Sequence, residues 1–182
     1  MKKILMLLAD GFEEIEALGV TDILRRCDIS VELCSTTGDA TVTSSRGVKI
    51  IADTLFPARG FSTADYAGII LPGGLPNAHT LRDDPRVIET VRAFFASGKF
   101  VCAICAAPCV LERAGILTGK KATSYPGCIE ESGCRYSEAR VVRDETVITS
   151  RGPGTACEFG FAVAEALGCG EKAKSVYQAM LM

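Results

Sequence analysis

The chain has 182 residues, 48% of them apolar and 23% charged, with a net charge of −2 and no low-complexity run. That length favours one domain over residues 1–182, and the composition excludes a disordered chain. Lys and Arg are interleaved with Asp and Glu, so neither nucleic acid nor an anionic membrane is expected as a partner.

The first segment, Lys2-Lys3-Ile4-Leu5-Met6-Leu7-Leu8-Ala9, has a basic end and an apolar run that stops at Asp10. The run is too short for a secretory core, and no cleavage motif follows. No apolar stretch is long enough to span a bilayer, so a cytoplasmic location is expected. Lys3–Leu8 reads as a buried strand. Residues 13–26 place Ile15, Leu18, Gly19, Ile23 and Leu24 near helical spacing, which predicts a helix with Ile15 and Leu18 in the core. Residues 30–34 read as a second strand, and 42–53 as an irregular hairpin. Residues 66–71 form a buried strand ending in Pro72-Gly73-Gly74. A helix over 85–97 has Val87, Ile88, Val91, Phe94 and Phe95 as its apolar stripe. A strand over 99–104 runs into a helix over 106–114 closed by Gly115. Strands over 141–143 and 147–149 flank an Asp144-Glu145 turn, and helices over 155–167 and 171–180 finish the chain.

Alternating strands and helices imply a mostly parallel sheet covered on both faces. In such folds ligands bind beyond the carboxyl ends of the strands. The loops so placed are residues 9–12, 72–76, 105–108 and 150–155.

Nine cysteines, an odd number scattered through strands and helices, make a poor disulfide framework. Most fit the role of small buried hydrophobes. Cys105 differs, because it falls where a strand gives way to a helix, as at a nucleophile elbow. Ala106 and Ala107 leave room for close backbone approach. A helix N-terminus and free N–H groups there would lower the thiol pKa and favour the thiolate. The alternative is a buried structural cysteine. Cys102 and Cys105 have the spacing of a redox pair, but Cys102 lies inside the strand. Cys102, Cys105 and Cys109 lack the histidine or second cluster that a tetrahedral metal site needs, so neither metal nor cofactor is assigned.

Glu13, Glu14 and Glu16 follow the first strand. Glutamates in a first helical turn commonly serve the helix dipole. Glu16, entering the crevice, could instead hydrogen-bond a thiol. Gly73 and Gly74 end the central strand, where a turned N–H and the amide of Cys105 or Ala106 would make an oxyanion hole; a plain tight turn is the alternative.

Together, Asp10-Gly11-Phe12-Glu13-Glu14-Ile15-Glu16, Leu71-Pro72-Gly73-Gly74, Ala103-Ile104-Cys105-Ala106-Ala107-Pro108 and Thr149-Ser150-Arg151-Gly152-Pro153-Gly154-Thr155 resemble the ThiJ/PfpI superfamily, in its branch of the parkinsonism-associated protein deglycase. The resemblance covers nearly the whole chain. It implies a flavodoxin-like three-layer sandwich and a homodimer, formed through the face of helix 13–26 and the segment around Arg46. It makes Cys105 the reactive thiol and Glu16 its acid partner. It puts oxyanion contacts at Gly73, Gly74 and Ala106, and places Arg26 and Arg46 near the site and the dimer interface, where they and Tyr125 would bind the substrate or an anion. One position departs from the pattern: where many relatives carry a histidine, Thr123-Ser124-Tyr125-Pro126 has Tyr125. The single histidine, His79, is expected on the surface. No histidine follows Cys105, which argues against a Cys-His protease. The implied substrate is a small reactive carbonyl, methylglyoxal or its adducts, handled as by a glyoxalase or deglycase. A redox sensor or chaperone with little turnover is the other reading, and an inert structural dimer the third.

Overall fold

The computed structural model describes residues 2–57 and 62–182. Seven strands form the central sheet: β1 (Lys3–Leu8), β2 (Ser30–Ser35), β5 (Thr54–Leu55), β6 (Gly68–Leu71), β7 (Phe100–Ile104), β10 (Val141–Asp144) and β11 (Val147–Ser150). Their order is β10-β11-β7-β6-β1-β2-β5. All pairs are parallel except β10 with β11. Two short pairs stand outside it, the antiparallel β3 (Thr41–Thr43) and β4 (Lys49–Ile51), and the parallel β8 (Lys121–Ala122) and β9 (Arg135–Tyr136).

The helices are α1 (Val20–Arg26), α2 (Asn77–Asp83), α3 (Pro85–Ala96), α4 (Pro108–Arg113), α5 (Ala156–Ala166) and α6 (Gly170–Ala179). The period of two along each strand divides them between two cores. Leu5, Leu7, Ile69 and Val101 pack against α2, α3 and α4, whereas Ile4, Met6, Ile70 and Cys102 pack against α1, α5 and α6. Both faces are covered, so β1 reads as an uninterrupted apolar run. Each such side chain contributes about 1.5–3 kcal/mol by leaving water. This is the flavodoxin-like three-layer sandwich expected from the sequence. Among the described residues, no helix is long and apolar enough to cross a membrane.

Two local departures matter for the site. Residues 13–26 are not one helix: a π-helical turn, Ile15–Gly19, precedes α1. This wide turn shifts the helical phase, so Glu16 is fully buried while Ile15, expected in the core, is 53% exposed. The second departure is α4, which begins at Pro108 and not at residue 106, since Pro at the first helical position needs no N–H partner. Cys105, Ala106 and Ala107 therefore form a turn ahead of the helix.

Candidate active site

The loops after β1 and β6 interlock at the carboxyl end of the sheet. Gly11 (φ +83°) and Gly74 (φ +86°) touch the opposing loop so closely that a Cβ on Gly11 would overlap Pro76, and one on Gly74 would overlap Gly11 and Glu13. The Glu13 N–H donates to the Gly73 carbonyl at 3.1 Å. Buried Asn77 joins the same loops: its Oδ1 accepts from the Ala9 N–H at 2.7 Å, and its Nδ2 donates to the Pro72 and Gly73 carbonyls at 2.8 and 3.0 Å.

Cys105 stands at the end of β7 with φ +63°. A non-glycine residue in that region costs on the order of 1–3 kcal/mol and persists where its surroundings hold it. Here the Cys105 N–H donates to the Ser150 carbonyl at 2.9 Å, and its carbonyl accepts from the Tyr125 N–H at 2.8 Å. The Ala106 and Gly74 N–H groups face the sulfur.

Glu16 approaches the thiol from the π-helical turn. Its Oε2 accepts from the Gly73 N–H at 2.7 Å, and its buried Oε1 has no hydrogen bond of ordinary geometry. The Cys105 thiol is the side chain coupled to this carboxyl. Burial raises the Glu16 pKa to about 7; the Cys105 thiol and Gly73 N–H oppose that, and the charge of Glu13 adds to it. Burial pushes the Cys105 thiol up as well, ionised Glu16 pushes it further, and the Ala106 and Gly74 amides pull it down. The expected depression of the thiol by a helix N-terminus is thus corrected: desolvation and the neighbouring carboxylate outweigh the amides. The two ionisations are coupled, and a thiolate is favoured only when the proton sits on Glu16.

The sulfur opens into a cavity of about 380 Å³ whose walls include Glu13, Arg46, Gly74, Ala106, Tyr125 and Cys128. Of the residues singled out in the sequence, Cys105, Glu16, Gly74, Ala106, Arg46 and Tyr125 thus converge here. Arg26 does not. It lies in the last turn of α1, paired with Asp22 at 2.7 Å, and α1 runs from the site toward the opposite end of the sheet. Gly73 is close, but its N–H is committed to Glu16 and is not free for an oxyanion. His79 is exposed on α2. Burial raises the pKa of Cys34 to about 12 and of Cys109 to about 11, and that of fully buried Cys102 also rises.

Sequence reasoning missed Asn77, Glu13 and Cys128. A lone asparagine after Gly-Gly gave no signal, although its position, where backbone groups of two loops converge, calls for a side chain with both donor and acceptor. Glu14 was read as serving the helix dipole. Instead its carboxylate accepts from the Ser44 and Ser45 hydroxyls and the Arg46 N–H, tying the β3–β4 turn to the site.

The model of the DJ-1/PfpI family matches residues 2–166. Protein dj-1beta of Drosophila melanogaster is 38% identical over 184 residues, spanning 100% of this chain and 97% of that protein. The glutathione-independent glyoxalase DJ-1 of Schizosaccharomyces pombe is 32% identical over 191 residues, spanning 100% of both. Among solved structures, the oxidized DJ-1 of Toxoplasma gondii has a TM-score of 0.92 at 36% identity, over 100% of this chain and 98% of that one. Fold, motifs and relatives lead to one assignment: the chain belongs to the DJ-1/PfpI family.

Proposed function

We propose that this chain is a cysteine-dependent glyoxalase of the deglycase type, converting methylglyoxal, free or as its adducts with thiols and amines, to lactate. The observation that carries this reading is the buried Glu16 carboxyl, one oxygen unpartnered, coupled to Cys105 beside a small cavity. The S. pombe relative, a glutathione-independent glyoxalase by name, supports it.

With the proton on Glu16, the Cys105 thiolate adds to the aldehyde carbon. A C–S bond forms, and the carbonyl oxygen becomes an alkoxide within reach of the Gly74 and Ala106 N–H groups. Glu16 protonates that oxygen. As carboxylate it then removes the hydrogen of the same carbon as a proton, giving an enediol; the hydroxyl proton passes to the neighbouring ketone oxygen, and Glu16 returns its proton to the ketone carbon. The aldehyde carbon ends as a thioester and the ketone carbon as an alcohol, so one is oxidised as the other is reduced and no external oxidant enters. Water displaces the thiol, releasing lactate and restoring Cys105. Arg46 and Tyr125 flank the substrate. The test is steady-state lactate formation: wild type turns over, while Cys105→Ala and Glu16→Gln lose turnover. Equal rates in wild type and Cys105→Ala overturn the reading.

A redox sensor is the second reading, drawing on the same unpartnered oxygen. A sulfinate on Cys105 would accept a hydrogen bond from protonated Glu16. The oxidized state in which the T. gondii relative was solved favours keeping it. An oxidisable Cys105 with negligible methylglyoxal turnover would select this reading.

A further inference from the structure

Asn77 opens α2 and is fully buried. Both ends of its amide are used. Oδ1 accepts from the Ala9 N–H at 2.7 Å, and Nδ2 donates to the Pro72 carbonyl at 2.8 Å and the Gly73 carbonyl at 3.0 Å. A reversed amide would set its oxygen against two carbonyls and its hydrogens against an N–H, so the orientation is forced.

The carbonyls it holds belong to two successive peptide units, Pro72-Gly73 and Gly73-Gly74. Both are trans; among the described residues the cis bonds are Phe56-Pro57 and Leu75-Pro76. In a planar trans peptide the C=O and N–H point in opposite directions. Holding the Pro72 carbonyl therefore aims the Gly73 N–H, which donates to Glu16 Oε2 at 2.7 Å. Holding the Gly73 carbonyl aims the Gly74 N–H, which faces the Cys105 sulfur. The Glu13 N–H assists at the Gly73 carbonyl, at 3.1 Å. Glycine at both positions leaves these units otherwise free to rotate, so their direction must come from what binds them.

We propose that Asn77 is a positioning residue for the reaction: one buried side chain orients two backbone N–H groups, the one that seats the Glu16 carboxyl and the one that meets negative charge on the sulfur and on the substrate oxygen. This role rests on Cys105 and Glu16 being the reacting pair, and it extends the site to a residue that hydrogen-bonds to neither. Without the amide, the Gly73-Gly74 unit can turn its N–H out of the cavity and its carbonyl inward. Glu16 then loses its seat and Cys105 one of the amides that favour the thiolate. A loop staple of purely structural value would lower stability and spare the chemistry.

The experiment compares wild type, Asn77→Asp, Asn77→Ala and Leu81→Ala by steady-state lactate formation and by the pH dependence of Cys105 alkylation with iodoacetamide, read by peptide mass mapping. Asn77→Asp keeps the shape and the acceptor for the Ala9 N–H while removing the amide donors, and it carries both measurements should the alanine variant fail to fold. Leu81 is buried one turn further along α2, so Leu81→Ala weakens that helix through a core cavity without touching the two carbonyls. In both Asn77 variants kcat should fall about 10²-fold, the lower end of losing one oxyanion donor, with KM little changed. Their alkylation profile should move to higher pH, because the Gly74 amide no longer pulls the thiol down. Glu13, Glu16 and Arg46, the charged groups around the thiol, are unaltered throughout. Leu81→Ala should keep the wild-type kcat and profile. Wild-type kcat and profile in Asn77→Asp overturn the inference, as does an equal loss in Leu81→Ala. A wild type that forms no lactate overturns the glyoxalase reading instead, and the alkylation profile alone then decides the role of Asn77.

Discussion

Gly73 donates its N–H to Glu16 Oε2 at 2.7 Å, and a Cβ at that glycine would lie 2.7 Å from both this oxygen and the Cys105 Cβ. A backbone amide thus orients the acid, and the absence of a side chain lets acid and thiol meet. Gly73→Ala is predicted to abolish most lactate formation and to cost about 1–3 kcal/mol of stability through overpacking. Parallel turnover and urea unfolding check this; an alanine variant with wild-type activity refutes it.

Glu16 makes stability depend on pH with a definite sign. Its carboxyl rises from the usual 4.5 in the unfolded chain to about 7 in the fold. The folded state therefore prefers the protonated form, and ionisation penalises it. The penalty is absent below pH 4.5, grows as the pH climbs toward 7, and is complete above that. Glu16→Gln removes it, so the variant should gain roughly 2–3 kcal/mol over wild type at pH 8 and little at pH 4. Urea midpoints at the two pH values decide it; an equal difference at both disproves the assignment.

Reactivity should separate the cysteines. Cys34 and Cys102 are at most 1% exposed, whereas Cys105 opens into the cavity. At pH 6 Glu16, with its pKa raised to about 7, is mostly neutral, so it adds no repelling charge beside a Cys105 thiolate and can donate a hydrogen bond to it. Limiting iodoacetamide at pH 6 is expected to label Cys105 first, and peptide mass mapping reads the order. Another cysteine labelled ahead of it would contradict the shared-proton account.

Tyr125 lines the cavity, at the position where the family resemblance leads one to expect a histidine. A phenol is a poor general base near neutrality. Tyr125→His should therefore increase lactate formation, by up to about 10²-fold, the lower end of what a positioned base contributes. Unchanged kcat would show that Glu16 alone carries the proton.

Ile15, Val48 and Ile51 are 53%, 47% and 78% exposed on the π-helical turn and the β3–β4 hairpin. Glu14 latches these two segments together through Ser44 and Arg46. Apolar side chains on adjoining segments favour a second copy of the chain as cover. Light scattering at micromolar concentration should give a dimer, and Ile15→Asp with Val48→Asp should shift it toward monomer. A monomeric wild type refutes the interface.

The sequence was most legible where periodicity is strict. β1, β7 and α3 have patterns that packing on both sheet faces enforces, and their limits fall within a residue or two of expectation. It was least legible where one inserted residue changes the phase. Helical spacing sent Ile15 inward, but the π-helical turn sends Glu16. The thiol at residue 105 could be located from its elbow, yet the direction of its pKa shift depends first on how deeply the thiol itself is buried and then on the Glu16 charge beside it, both tertiary properties. Arg26 lies away from the cavity of its own chain, at the last turn of α1, because composition does not say which end of a helix meets the site. Asn77 acts by joining loops distant in sequence, which no local pattern records.

The wide turn at Ile15–Gly19 also separates two demands that a regular helix would couple. Each residue of an α-helix turns by about 100°, so the phase of an acid at its start is normally locked to the apolar stripe further along. Here the extra residue acts as a frame shift. Deleting it would carry Glu16 out of the crevice while leaving Val20, Ile23 and Leu24 on the core. One insertion or deletion is thus enough to switch the acid in or out, which makes this turn the point at which members of such a fold can gain or lose proton-transfer chemistry without redesigning the scaffold.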